Sequence, residues 1–227
     1  LHPVAHSFPT RRSSDLQGIF RNPLADPSLV GVSSGAALGA SSMIVIGNRV
    51  WTDLGIVHSA LFVPAAAFGG GLLATWIVYR LSTRYGRTGV MTMLLAGIAI
   101  NALASAGTGL WTFVADDREL RDLTFWTLGS LAGAEWRSLG VLAAFVAVGG
   151  AFALRTATSL DALLLGESEA RHIGIDAERV RRRAVFCTAS MVGCAVALSG
   201  LIFFVGLVVP HMIRLVAGPG HRLLLPA

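Results

Sequence analysis

Covalent chemistry needs side chains that converge: a nucleophile beside a base, paired acids, or a His/Cys/carboxylate set at ligand spacing. The 227-residue sequence offers no such constellation. All 18 basic residues are Arg, and Lys does not occur. This excludes a phosphate-binding P-loop, whose Lys reaches the phosphates, and a pyridoxal Schiff base, which requires a Lys amine. His211 follows Pro210 within an apolar run. A metal site needs further ligands at matching spacing, and none accompanies it. Pro210 is therefore expected to kink its span and His211 to hydrogen-bond between helices. Cys187 and Cys194 share a helix face but stand about 10 Å apart in helical rise. A disulfide needs Cα atoms within about 7 Å, so both read as small packing residues. Asn101, mid-span, either bridges helices by hydrogen bonds or lines a pathway; the bridge is the preferred reading. Arg21 and Asp26 lie at a turn broken by Pro23 and Pro27, where the charges satisfy the turn and a neighbouring helix end.

The elements that hold these residues are apolar. Hydrophobic residues make up 54% of the chain and charged residues 14%, with 26 Gly, so charge falls well below the roughly one quarter usual in soluble domains. The mean hydropathy is +0.67. Long apolar stretches separated by short charged clusters indicate an all-α, polytopic transmembrane bundle. The net charge of +5 does not imply nucleic-acid binding, because the Arg residues sit between apolar spans. The spans are expected at Leu29–Ile46, Ile56–Tyr79, Val90–Val114 and Trp136–Leu154, followed by an uncharged run from Ala184 to Ile213. That run is too long for one crossing of about 20 residues.

Charge resolves the count. Arg21, Arg80, Arg84, Arg87, Arg155, Arg171, Arg179, Arg181, Arg182, Arg183, Arg214 and Arg222 fall in one alternating set of connections. Arg49, Arg118, Arg121 and Arg137 fall in the other, among Asp and Glu. The positive-inside rule places the first set in the cytoplasm. Both ends of the 184–213 run are then inside, so the chain must turn near Ser199–Gly200. The run becomes two spans, Ala184–Leu198 and Leu201–Ala217, and the total becomes six, with both ends cytoplasmic. Gly31, Gly35 and Gly39 form a double G-x-x-x-G on the first span, a face that another helix backbone can approach. A short helix is expected at Thr124–Leu131, in or near the outer interface, where Trp126 and Trp136 would anchor.

Residues 1–16, LHPVAHSFPTRRSSDL, are polar and Arg/Ser-rich, without the apolar core of a signal peptide. A common short-read sequencing adapter, translated in frame, gives HSFPTRRSSD and an incomplete Leu codon, matching His6–Leu16 residue by residue. This stretch is expected to be adapter-derived and disordered. The transmembrane domain then occupies residues 17–227, read as a gene fragment that also stops abruptly at HRLLLPA.

Five ordered stretches carry a resemblance. They are QGIFRNPLADPSLVGVSSGAALGA at Gln17–Ala40, LLAGIAINAL at Leu94–Leu103, FWTLGSLAGAEW at Phe125–Trp136, LLLGESEARHIGI at Leu163–Ile175, and GLIFFVGLVVPHMIRLVAGPGHRLLLP at Gly200–Pro226. Together they resemble the FecCD-type permeases, the membrane subunits of ABC importers for iron–siderophores, haem and cobalamin. The resemblance runs from Gln17 to the end and specifies the family without specifying the substrate. His172 and Phe203 depart from it, standing where an apolar and a smaller residue are expected.

The resemblance implies a ten-span subunit with cytoplasmic termini, of which the third to eighth spans are present. It implies no covalent chemistry and no cofactor. It implies an ATP-binding cassette ATPase, a substrate-binding protein on the outer face, a second permease subunit, and a place in the bacterial cytoplasmic membrane. The loop Arg155–Arg183 alone among the cytoplasmic connections is long enough to fold. It reads as two short helices broken at Gly166 and Gly174, with Asp161 as a cap of the first and Ser168 or Glu169 near the start of the second. Carried over by the motif, Leu165, Gly166, Glu167, Ala170, Arg171 and Gly174 form the ATPase contact; the alternative is an ordinary solvated loop. The competing function is an ion-coupled transporter or channel without an ATPase. Such proteins usually bury ionisable residues within their spans, and the central portions of these six lack Asp, Glu and Arg.

Overall fold

The computed structural model describes residues 30–47, 50, 61–84, 87–131, 135–165, 172 and 174–201. Helix α1 covers Val32–Ser42 and runs into a π-helical turn at Met43–Gly47. Helix α2 covers Phe62–Ser82. A hairpin of two two-residue strands, β1 (Thr83–Arg84) and β2 (Arg87–Thr88), pairs antiparallel and leads into α3, Val90–Val114. Then follow α4 (Asp117–Leu128), α5 (Trp136–Leu165) and α6 (Ala177–Ser199). The chain is a polytopic transmembrane helical bundle. Helices α2, α3 and α6 are long and apolar enough to cross a membrane, with shorter apolar helices at Val32–Gly47 and Leu139–Phe152. The sixth expected span, Leu201–Ala217, lies outside the described residues apart from Leu201.

Within the spans, hydroxyl side chains turn back onto their own helix. Ser41 donates to Ala37 O at 2.7 Å, Thr75 to Gly71 O at 2.9 Å and Ser190 to Phe186 O at 2.8 Å. Each places a polar group in an apolar setting without leaving it unpaired. Large apolar residues such as Leu95, Leu103 and Phe113 point outward from α3, as expected where the surrounding medium is hydrocarbon.

Helices α1 and α2 cross antiparallel at backbone contact. A methyl group on Gly35 would sit 2.5 Å from both Ala74 Cβ and Gly70 O, and one on Gly39 would overlap Ala66 O. Gly31 differs. A methyl group there would meet Ile100, Ala74 and Val78 at ordinary distances of 3.5–3.6 Å, but its φ of 88° is left-handed. Gly31 is thus fixed by its backbone angle and its two partners by close approach.

Three sequence expectations change. Helix α5 passes through Arg155 and Asp161 without a break and ends at Leu165, so Asp161 lies inside a helix and not at the start of one. Its 30 residues span about 45 Å, well beyond a hydrocarbon core of about 30 Å. The first short helix expected after Arg155 is the continuation of the span itself. Helix α4 begins at Asp117, earlier than the expected Thr124, because Asp116 and Glu119 form a capping box. Trp126, partly buried, packs on the cluster of Ala36, Ala40, Ala67 and Ala197, while Trp136 is 88% exposed.

Candidate functional site

The arginine-rich end of the bundle carries the first candidate. Ser82, at the end of α2, accepts from the Gly89 N–H through its carbonyl at 3.1 Å, closing the hairpin. Thr83 Oγ1 lies 2.8 Å from Thr88 Oγ1 and donates to Tyr79 O at 2.9 Å. The first turn of α6 meets this hairpin side-on. Tyr79 donates its hydroxyl to Glu178 Oε1 at 2.6 Å, and Thr88 donates its N–H to Glu178 Oε2 at 3.0 Å. The Thr88 hydroxyl also donates to Glu178. Arg181, 7% exposed, donates from Nη1 to Thr88 O at 2.8 Å and lies 3.5 Å from Glu178 Oε2. Asp176 caps α6 by accepting from the Glu178 and Arg179 amides, each at 3.1 Å. It also pairs with Arg179 Nε at 2.8 Å.

In sequence, the expected ATPase-contact residues lie between the C-terminus of α5 and the capped start of α6. Leu165 is the last residue of α5, and Gly174, with φ 80°, stands two residues before the α6 cap. Gly166, Glu167, Ala170 and Arg171 lie outside the described residues, as do Ser168 and Glu169.

The second candidate lies within the membrane. Ser34 on α1 donates to Asn101 Oδ1 on α3 at 2.5 Å. Asn101 therefore bridges helices. It also borders a cavity of about 420 Å³ together with Ser33, Ala37, Ser105, Thr108, Thr127 and Leu201. The hydroxyls of Thr108 and Thr127 are engaged with Ala104 O and Thr124 O. The cavity thus presents mainly carbon to its interior. At its far end, Ser130 N–H donates to Ser199 O at 2.8 Å, and Gly200, with φ 72°, packs on Trp126 O and Gly129. Helix α6 ends there at Ser199, where the charge argument requires a turn. Cys187 and Cys194 are free thiols. Arg21, Asp26, Phe203, Pro210 and His211 lie outside the described residues.

The Glu178–Thr88 and Arg181–Thr88 contacts join positions some 90 residues apart, and spacing did not reveal them. The one local signal was Glu178 itself, an acid followed by Arg179, Arg181, Arg182 and Arg183.

Comparison with known proteins gives a consistent picture. The FecCD transport family model matches residues 14–227. The cobalamin import system permease protein BtuC of Halobacterium salinarum is 42% identical over 93% of this chain. The hemin transport system permease protein HmuU of Yersinia pestis is also 42% identical over 93%. The molybdate import system permease protein MolB of Haemophilus influenzae is 34% identical over 93%. The chain spans 54%, 62% and 60% of the lengths of these relatives, respectively. A solved structure described as an inward-facing conformation of a metal-chelate type ABC transporter superposes with a TM-score of 0.81 at 30% identity. It covers 93% of this chain, which covers 65% of it.

Proposed function

This chain belongs to the FecCD transport family, and we propose that it forms part of the membrane-spanning subunit of an ABC importer in the cytoplasmic membrane of a bacterium. The cargo is a metal chelate of the iron–siderophore, haem or cobalamin type. A separate ATPase subunit supplies the energy, a binding protein delivers cargo at the outer face, and a second permease subunit completes the pathway.

The observation that carries this reading is the family match over residues 14–227. The cobalamin and hemin relatives support a bulky chelate as cargo, and the molybdate relative marks the breadth of the family. Function then rests on mechanical coupling. Segment 166–173 connects in sequence the long α5, whose 30 residues exceed one crossing, to the capped α6. A segment that joins two helices can receive force from an ATPase and pass it to both. In this reading the arginine-rich end is cytoplasmic.

The test uses the full-length permease with its ATPase subunit in proteoliposomes, supplied with labelled cobalamin or haem. Uptake of either, dependent on ATP, is expected. Gly166→Trp should lower both ATPase co-purification and uptake while membrane insertion stays near normal, because a bulky side chain would obstruct a tight turn. Wild-type binding and transport in that variant would remove segment 166–173 from the ATPase contact.

A further inference from the structure

We infer that Glu178 and Arg181 are positioning residues that clamp the Thr83–Thr88 hairpin to α6, so that movement of segment 166–173 is transmitted to α2 and α3. This rests on the docking of that segment on an ATPase. It adds a route from the docking point to helices that the segment does not join in sequence.

The clamp is built from two elements. Glu178 receives three hydrogen bonds from outside its own helix, one from Tyr79 on α2 and two from Thr88 on β2. Arg181, one turn later, takes the Thr88 carbonyl. Both backbone polar groups of Thr88 are therefore held by the first two turns of α6. A short hairpin between two spans needs no such arrangement to close; the Gly89–Ser82 bond already does that. Burying a guanidinium is costly unless it is paired and hydrogen-bonded. Here Arg181 is paired with Glu178 and hydrogen-bonded to the hairpin at Thr88 O.

Position gives the clamp its role. Glu178 lies one turn past Gly174, where the proposed docking segment ends. The hairpin is the covalent link between α2 and α3. Below it, Val185 of α6 packs with Val78 of α2 and Met93 of α3 in one buried cluster, so the joint is solid behind the polar contacts. A rotation of the first turn of α6 would pull the hairpin with it and carry both helix ends. Without the clamp, this end of α6 would be held mainly by apolar packing, which resists separation but has no directional bonds.

The test compares wild type with Glu178→Gln and Thr88→Val in the full-length permease and its ATPase, in proteoliposomes. The readouts are ATPase co-purification, ATP turnover, and labelled cobalamin or haem moved per ATP. We expect normal co-purification and continued hydrolysis. Transport per ATP should fall about tenfold in Glu178→Gln, the scale on which residues along a coupling route act. Thr88→Val, which keeps the side-chain shape, should fall less. Spin labels at positions 84 and 182 should show one narrow distance in wild type and a broadened one in both variants. If Glu178→Gln fails to insert, Thr88→Val carries the same readouts. Unchanged transport per ATP with a narrow 84–182 distance overturns the clamp, as does loss of ATPase binding in either inserted variant. Failure of the docking reading appears separately, as Gly166→Trp retaining the ATPase.

Discussion

Replacing Gly35 with Ala adds one methyl group at the tightest part of the α1–α2 crossing. That methyl would stand 2.5 Å from Ala74 Cβ and from Gly70 O. Carbon atoms rest at about 3.5–4.0 Å, so the shortfall is about 1 Å. Neither obstacle can rotate away: one is a backbone carbonyl and the other a Cβ. Only separation of the helix axes relieves the clash, and Gly39 against Ala66 must then open as well. Overpacking of this kind costs about 1–3 kcal/mol. Ala is the better helix former by about 0.5–1 kcal/mol, which offsets part of the loss. Gly69, one residue from Gly70, supplies the control, because a methyl there meets nothing within 4 Å. Gly69→Ala should be neutral or stabilising. The two substitutions are chemically identical, so their difference isolates the crossing. It should amount to about 1–3 kcal/mol, or roughly one to two decades in the unfolding equilibrium. The assay is unfolding in mixed detergent micelles by SDS titration, followed by far-ultraviolet circular dichroism. If Gly35→Ala is as stable as Gly69→Ala, the helices do not meet at backbone contact and the packing account fails.

Two further predictions concern single polar groups. Asn101→Ala removes the acceptor of the Ser34 hydroxyl and should cost about 0.6–2 kcal/mol in the same titration, the range for interhelical hydrogen bonds in membranes. Ser34→Ala should cost a similar amount, and the double variant should fall short of the sum; full additivity would refute the bridge. Asp116→Ala removes an acceptor for the Arg118 and Glu119 amides and should cost α4 about 1 kcal/mol. Amide exchange over residues 117–120 should then quicken about fivefold, with α3 unchanged; unaltered exchange would deny the cap a stabilising part.

The ease of reading each element from sequence follows from what hydropathy measures. Val90–Val114 emerged with both ends in place, because Gly89 precedes it and Asp116 closes the apolar run. Helix α5 was cut short at Arg155. A charge marks where lipid ends, but backbone hydrogen bonds continue in water, and the helix continues with them. Helix α4 was placed late because its first turn, Asp117–Leu120, carries three charges. The D-x-x-E pattern of Asp116 and Glu119 was the better guide there. The G-x-x-x-G pattern marked the right face of α1 but could not separate Gly31, needed for its backbone angle, from Gly35 and Gly39, needed for approach. The Tyr79–Thr88–Glu178–Arg181 cluster stayed hidden because its members come from distant segments, and only tertiary structure gives them a common place.

The contacts supply an independent argument about sidedness. The arginine bias divides the connections into two sets by composition alone. The hydrogen bonds of Glu178 and Arg181 join positions 79–88 to positions 178–181, both assigned to the arginine-rich set. At the opposite end, Ser130 meets Ser199, and Gly200 meets Trp126 and Gly129, all in the acidic set. A miscounted crossing between Thr88 and Glu178 would have put these partners on opposite sides of the bilayer. The same two junctions define how α3 is held. It packs against α1 and α2, and its ends lead into the clamped hairpin and into α4, whose C-terminus rests on the end of α6. Helix α6 thus reaches α3 near both ends of the bundle.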